Sequence, residues 1–316
     1  MSQKSTQDKI IHILKKKGGL SVHDLSKFLK ISRQAVHKQL KLLLQNGLLD
    51  KKGIPPQVLY FLRPQESRIA ESFHMFATLI PAYTENVKKH DTFWKLPEQH
   101  TIDLHFLLTS AALYSSKIEG NTLDLNSYIN KAEIPKAKKR EKREIDDLKN
   151  AYAFARGHAL TEKNFLLAHK MLSGSFLAKN ARGKYRADKV GVFGSAGLEY
   201  MAPEAPLVPS EMSELFSYIA KLLRQDMSKE EVYLWSLYIH IMIALIHPFA
   251  DGNGRIARLV EKWFLAEKLQ SKYWYIQSER FYWEYLQKYY KAISLGINYW
   301  ELDFKKFKNF IKLHLF

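Results

Sequence analysis

The stretch His247-Pro248-Phe249-Ala250-Asp251-Gly252-Asn253-Gly254-Arg255-Ile256-Ala257-Arg258 decides how the chain is read. It follows the most apolar run in the sequence, Val232 to Ile246, which reads as a buried helix. Gly252-Asn253-Gly254 allows a tight backbone whose N–H groups converge on an anion. The apolar spacing Ile256, Leu259, Val260, Phe264 predicts a helix starting near Gly254, whose N-terminus would add positive dipole to the same place. Arg255 and Arg258 are three apart, so they share a face near its first turn and could fork onto phosphate oxygens. Asp251 is a short carboxylate beside them. It cannot favourably touch phosphate directly, so a Mg²⁺ between the two is the natural reading. His247 is the only group in the stretch whose ordinary pKa suits proton transfer near neutrality. Together these residues describe a nucleotide held by its phosphates, with a base ready to activate a hydroxyl.

Each element alone has a duller explanation. A His before Pro is ordinarily a core or turn residue, Gly-Asn-Gly is ordinarily a turn, and two helical arginines ordinarily face solvent. Their concentration within a dozen residues, directly after a buried helix, weighs against all three together.

His247 to Arg258 resembles the Fic signature, H-x-F-x-(D/E)-G-N-G-R-x-x-R, at every specified position. The resemblance implies a protein adenylyltransferase, which moves AMP from ATP to a Ser, Thr or Tyr hydroxyl of a target protein and releases pyrophosphate. It implies His247 as general base, Phe249 as core anchor of the loop and Asp251 as Mg²⁺ ligand. It gives Gly252, Asn253, Gly254 and Arg255 to the α- and β-phosphates, and Arg258 to the γ-phosphate.

Upstream, Ser115-Ser116-Lys117-Ile118-Glu119-Gly120 follows an apolar helical pattern from Leu104 to Tyr114. Ser115 and Glu119 are four apart and share a helical face, and Gly120 would end the helix. A Glu held near a phosphate-binding arginine would occupy the anion's place. The stretch resembles the Fic inhibitory motif, (S/T)-x-x-x-E-(G/N), which implies that Glu119 pairs with Arg258 and blocks productive ATP placement. In some relatives the same Glu supports removal of AMP. The ordinary reading of such a Glu is a solvated helical residue.

The N-terminal part has another character. Helices are expected over 7–17, 22–29 and 33–46, with Ser21 and Ser32 as N-caps and Val36, Leu40 and Leu43 inward. Two strands, 48–50 and 58–61, flank a basic tip, 51–56. This is the pattern of a winged helix-turn-helix, with Arg33, Gln34, His37, Lys38 and Lys41 exposed on the recognition helix. Asp8, Asp24 and Asp50 are the only acids before Pro64, so duplex DNA is the expected partner, against a protein-contact or dimerisation role.

The 316 residues carry 46% hydrophobic content, a formal charge of +17 and no cysteine. That composition excludes disulfide and thiolate chemistry and fits a reducing, cytoplasmic setting. The charge suits nucleic acid or an acidic partner, although a generally basic enzyme would also carry it. No apolar leader opens the chain, and the apolar run before His247 is better explained as a buried helix than as a membrane span.

The expected fold is mainly α: a winged helix-turn-helix at 1–64, a helical linker at 65–100 broken by Pro81, and an all-helical Fic domain with a small β-hairpin flap at 101–316. Lys131 to Arg143 reads as a solvated basic stretch. Gly183 to Arg186, running through Gly191 to Gly194, reads as the flap, with Tyr200 to Pro203 completing it. In Fic proteins such a hairpin pairs with the target's backbone. Further helices are expected over 144–154, 162–171, 209–223 and 274–295, the last rich in aromatic rings that read as core or interface. A homodimer is compatible with both modules, which often dimerise. The rival reading is a DNA-binding transcriptional regulator whose Fic domain acts as a sensor or scaffold. Within enzymes, net removal of AMP, or transfer of phosphocholine or phosphate, are the alternatives.

Overall fold

The computed structural model describes residues 5–17, 19–45, 48–53, 55, 58–62, 67–90, 103–129, 135–188, 190–194, 197–203 and 205–315. The chain divides into two units, Met1–Ser67 and Arg68–Phe316.

The first unit packs α1 (Thr6–Lys17), α2 (Val22–Leu29) and α3 (Arg33–Gln45) around a small core of Ile10, Leu14, Leu25, Val36, Leu40, Leu43, Leu49 and Tyr60. Ser21 and Asp24 form a reciprocal capping box that starts α2. Lys30 ends it in a left-handed conformation, φ 52°, and Ser32 Oγ accepts from the Ala35 amide at the start of α3. Strands β1 (Leu49–Lys52) and β2 (Leu59–Leu62) pair antiparallel, and Leu20 bridges to Tyr60 as a further short edge. Lys51 and Lys52 lie within β1 rather than at the tip where they were expected. Ile54 and Pro56 of that tip lie outside the described residues, as does the Arg63-Pro64 boundary.

The second unit is built on α4 (Arg68–Lys89), α5 (Leu104–Ile118), α6 (Leu125–Ile129), α7 (Lys139–Arg156) and α8 (Glu162–Leu172). The hairpin β3 (Gly191–Gly194) and β4 (Gly197–Met201) follows. Then come α9 (Val208–Arg224), α10 (Lys229–Ile246), α11 (Asn253–Lys268), α12 (Ser278–Glu284), α13 (Leu286–Ile293) and α14 (Phe307–Leu313). Helix α10 is the axis. Ser228 and Glu231 form its capping box, and nearly all its side chains are buried, against α4, α9, α11 and α14. A helix apolar all round can only be a core helix or a span. Among the described residues, no helix is long and apolar enough to cross a membrane.

Several expectations change here. The segment expected as a linker holds α4, whose Ile69, Phe73, Phe76, Ile80 and Val87 are buried in the second unit's core. The helix continues through Pro81 because that residue is exposed, where the carbonyl of Ala77 that it leaves unbonded can face water. The rest of the expected linker, 91–100, lies outside the described residues. Of the basic stretch 131–143, read as a solvated loop or helix start, Lys139 to Arg143 form the first turns of α7, while 131–134 lie outside the described residues. The flap is Gly191–Gly194 paired with Gly197–Met201, with a bulge between Val192 and Phe193; Gly183 to Arg186 is not a strand. The aromatic C-terminal stretch is broken into short helices. Tyr273, Trp274, Tyr282 and Tyr289 are buried, and Tyr285 and Tyr290 are exposed.

Candidate active site

The loop between α10 and α11 is held by its own residues first. Asn253 donates through Nδ2 to the Phe249 carbonyl (2.9 Å) and accepts through Oδ1 from the Phe249 amide (2.8 Å). Both side-chain groups are therefore engaged in closing the loop, and the main-chain N–H of Asn253 remains for a ligand. Phe249 is fully buried, and its ring stacks on His169 with centroids 3.5 Å apart. Gly252 sits at φ 86°, a left-handed conformation that favours glycine. A Cβ there would also press on Leu172, Phe176 and His169.

No side chain caps α11, whose N-cap is Gly252. The first N–H groups of a helix have no intrahelical partner, so those of Asn253, Gly254 and Arg255 are left pointing at a common anion position. The Gly252 N–H is spent on Asp251 Oδ1 at 2.5 Å, so this glycine supplies shape rather than a donor. Asp251 Oδ1 also accepts from Arg255 Nη2 (3.0 Å). The Arg255 guanidinium lies 3.7 Å over the Phe176 ring, and its buried Nε has no hydrogen-bond partner among the described residues. A buried donor without an acceptor is costly, which fits a site awaiting an anion.

Arg258 is buried and fully oriented. Its Nε donates to Ser115 Oγ (2.9 Å) and its Nη2 to the Ser115 carbonyl (3.0 Å) and to Glu119 Oε1 (2.7 Å), while Nη1 reaches the Tyr289 hydroxyl at 3.4 Å. Glu119 is the C-cap of α5, and Gly120 turns the chain away at φ 94°. A Cβ built on Gly254 would collide with Glu119 Oε1, so this carboxylate hangs over the α11 N-terminus. Burial opposes its charge, but Arg258, Arg255 and the hydrogen bond from Arg258 outweigh that and hold the carboxyl below its ordinary value. Glu119 thus stands where an anionic ligand would stand.

His247 ends α10 in the left-handed region at φ 51°, with its amide still bonded to the Ile243 carbonyl. A non-glycine residue in that region is strained. Its Nδ1 lies 3.2 Å from the Ala244 carbonyl, which can only accept. Nδ1 therefore carries the proton, and Nε2 is left with the lone pair of a base. Burial pushes the imidazole pKa below its ordinary value, and the Arg186 charge adds to that; the Ala244 bond, Glu119 and Asp251 act the other way.

Three supporting residues were not anticipated from sequence. His169 on α8 accepts the Gly183 amide at Nδ1 (3.0 Å) and so donates through Nε2 to the Asp251 carbonyl (2.9 Å). Burial lowers its pKa to about 4, which keeps this neutral tautomer fixed. Arg186 donates to the carbonyls of His247 (2.7 Å), Asp188 (2.8 Å) and Pro203 (2.7 Å), and its own amide donates to Pro248. It neutralises the negative end of α10 just where the chain turns. Tyr289 joins Arg258 to His240 Nε2 (3.0 Å), and His240 Nδ1 is bonded to Glu261.

The five residues assigned to the recognition helix, Arg33, Gln34, His37, Lys38 and Lys41, are all exposed on α3, opposite Val36, Leu40 and Leu43. Arg33 Nη2 donates to His23 Nδ1 on α2 at 2.5 Å.

Residues 159–265 match the Fic/DOC family, and residues 9–57 match the MarR family. Solved structures that share the fold include the following. A Fic family protein from Desulfovibrio desulfuricans G20 is 24% identical, with 83% of this chain and 74% of that one covered and a TM-score of 0.57. Fic-1 (a fragment) from C. elegans is 17% identical over 78% of this chain and 71% of its own, TM-score 0.53. A Fic domain containing signaling protein from Bacteroides thetaiotaomicron VPI-5482 is 18% identical over 78% and 90%, TM-score 0.50. No curated protein matches the chain.

Proposed function

The chain carries a Fic domain behind a MarR-type winged helix, and on that premise we propose that it is a protein adenylyltransferase held at rest by Glu119. The observation that carries this reading is the uncapped α11 N-terminus. Arg255 and Arg258 converge on it, His247 Nε2 is the base nearby, and Glu119 already fills an anion's place there.

In the proposed reaction the target's hydroxyl oxygen attacks the α-phosphorus of ATP. A new O–P bond forms as the bond to the pyrophosphate oxygen breaks, and His247 Nε2 takes the hydroxyl proton. The amides of Asn253, Gly254 and Arg255 and the Arg255 guanidinium hold the charge that gathers on the phosphates. Arg258 takes the γ-phosphate once Glu119 has let go. The hairpin β3–β4 would hold an extended segment of the target by main-chain hydrogen bonds.

Asp251 fits a role towards Mg²⁺. Its Oδ1 is committed within the loop, which leaves Oδ2 of a half-exposed carboxylate available as a ligand atom. Among the described residues, no group of three or more His, Cys, Asp or Glu could hold a metal by itself. One carboxylate, with substrate phosphates and water completing the shell, is how Mg²⁺ is usually held. Bound there it would neutralise phosphate charge.

The test uses two forms of labelled ATP with host-cell lysate as the source of target. Label should pass to protein from α-labelled ATP and not from γ-labelled ATP. Label from the γ-position alone would replace AMP with phosphate as the transferred group. No label from either, with nucleotide still bound, would favour removal of AMP.

A second role rests on the N-terminal unit, whose basic face on α3 suits duplex DNA. Arg33→Ala with Lys38→Ala should weaken duplex binding and reduce the slope of log affinity against log salt by about one to two, since each phosphate contact releases roughly one counterion. Titration at several salt concentrations measures this. Unchanged binding and slope would turn the unit into a protein-contact module.

A further inference from the structure

The last four carbonyls of any helix lack intrahelical partners. At the end of α5 each has an identifiable substitute. The Ser115 carbonyl accepts from Arg258, that of Ser116 from the amides of Glu119 and Asn121, and that of Lys117 from Gly120. The Ile118 carbonyl accepts from the hydroxyl of Tyr290, at 3.0 Å. Ile118 is the residue immediately before Glu119, and Tyr290 lies on α13, next to Tyr289.

Two adjacent tyrosines of one short helix therefore grip the two halves of the Glu119–Arg258 pair. Tyr289 touches the cation, and Tyr290 the peptide that leads into the anion. Their rings are 5.4 Å apart. They differ in exposure: Tyr289 is 1% exposed and tied into the His240–Glu261 network, whereas Tyr290 is 43% exposed. Burial and the nearby Glu119 push the Tyr290 phenol pKa up, so the hydroxyl keeps the proton it donates.

We infer that Tyr290 is a positioning residue, a latch that holds the α5 terminus so that Glu119 stays against Arg258 and thereby sets the resting level of activity. This rests on the reading of Glu119 as the inhibitory group. The latch is one neutral hydrogen bond at a half-exposed site, and Asn121, bonded to the Glu141 carbonyl, retains the rest of the turn. Its loss should loosen the inhibitory contact without abolishing it.

The test is Tyr290→Phe in the full chain, which keeps the ring and removes only the hydroxyl. AMP transfer from α-labelled ATP should rise by roughly two- to tenfold, the range of one hydrogen bond's net worth. In a Glu119→Gly background the same change should add nothing. Amide hydrogen exchange at Glu119, Gly120 and Asn121 should be faster in Tyr290→Phe than in the wild type. Unchanged exchange, with Glu119→Gly still raising transfer, overturns the latch alone. An equal gain with and without Glu119 also overturns it, because Tyr290 would then act on the substrate. No gain from Glu119→Gly overturns the inhibitory reading beneath it, and the regulatory role of Tyr290 falls with that.

Discussion

Replacing His247 by alanine should lower AMP transfer by about 10²–10⁴-fold, the usual contribution of a positioned general base, while ATP affinity stays within a few-fold of wild type. The two effects separate because the groups that would hold phosphate do not depend on the imidazole. The α11 amides are placed by Gly252 and by the Asn253–Phe249 bonds, and Arg258 is placed by Ser115, Glu119 and Tyr289. The histidine contributes only its Nε2 lone pair, left unprotonated because Nδ1 is turned to the Ala244 carbonyl. The pH dependence follows from the lowered pKa. A base must be deprotonated to act, so lowering its pKa extends activity to lower pH. The acid limb of transfer should therefore fall below pH 6.5, the ordinary imidazole value. Initial rates against pH, with nucleotide affinity measured separately, check both points. Transfer at wild-type rate by His247→Ala would end the assignment of His247 as base.

The second large effect runs the other way. Glu119→Gly should raise AMP transfer by roughly ten- to hundredfold, in line with the 1.5–3 kcal/mol typical of a hydrogen bond to a charged group. Two features favour the gain over a loss of structure. Glu119 occupies an ordinary backbone conformation, φ −90° and ψ 13°, so glycine needs no new turn there. Arg258 loses one partner of four and keeps Ser115 Oγ, the Ser115 carbonyl and Tyr289, so it stays aimed at the site. The anion lost from the protein is replaced by the substrate's. Transfer from α-labelled ATP at several Mg²⁺ concentrations measures the change, and equal rates for the two proteins would remove the inhibitory role.

The site was legible in sequence where its parts are contiguous or one helical turn apart. His247 to Arg258 is one loop and one helix start, and Ser115 and Glu119 are four residues apart, so local rules reach them. Their supports were not legible. His169 touches the Asp251 carbonyl across 82 residues, and Arg186 reaches the His247 carbonyl across 61. Nothing local marks a histidine in the last turn of an amphipathic helix, or an arginine after a tyrosine, as a partner of a distant backbone. The hairpin was half misread for a related reason. Gly183 to Arg186 has the small and aromatic residues of a strand, but its backbone is claimed by His169 and Pro248 instead of a neighbouring strand. In the loop, the sequence shows an amide at Asn253 but not that Phe249 uses both of its groups. The α4 segment reads from sequence as a helical linker broken by Pro81, but the exposed position of that proline leaves the helix continuous.

One guanidinium has a consequence beyond support. Arg186 binds the carbonyl of Asp188, just before β3, that of Pro203, just after β4, and that of His247 itself. Both roots of the hairpin are thus fastened to the base's own main chain by a single planar group. A peptide laid along that hairpin would meet His247 across one rigid fork instead of a succession of loops. The quantity such an arrangement changes is the effective molarity of the incoming hydroxyl, which rises as the spread of its approach narrows.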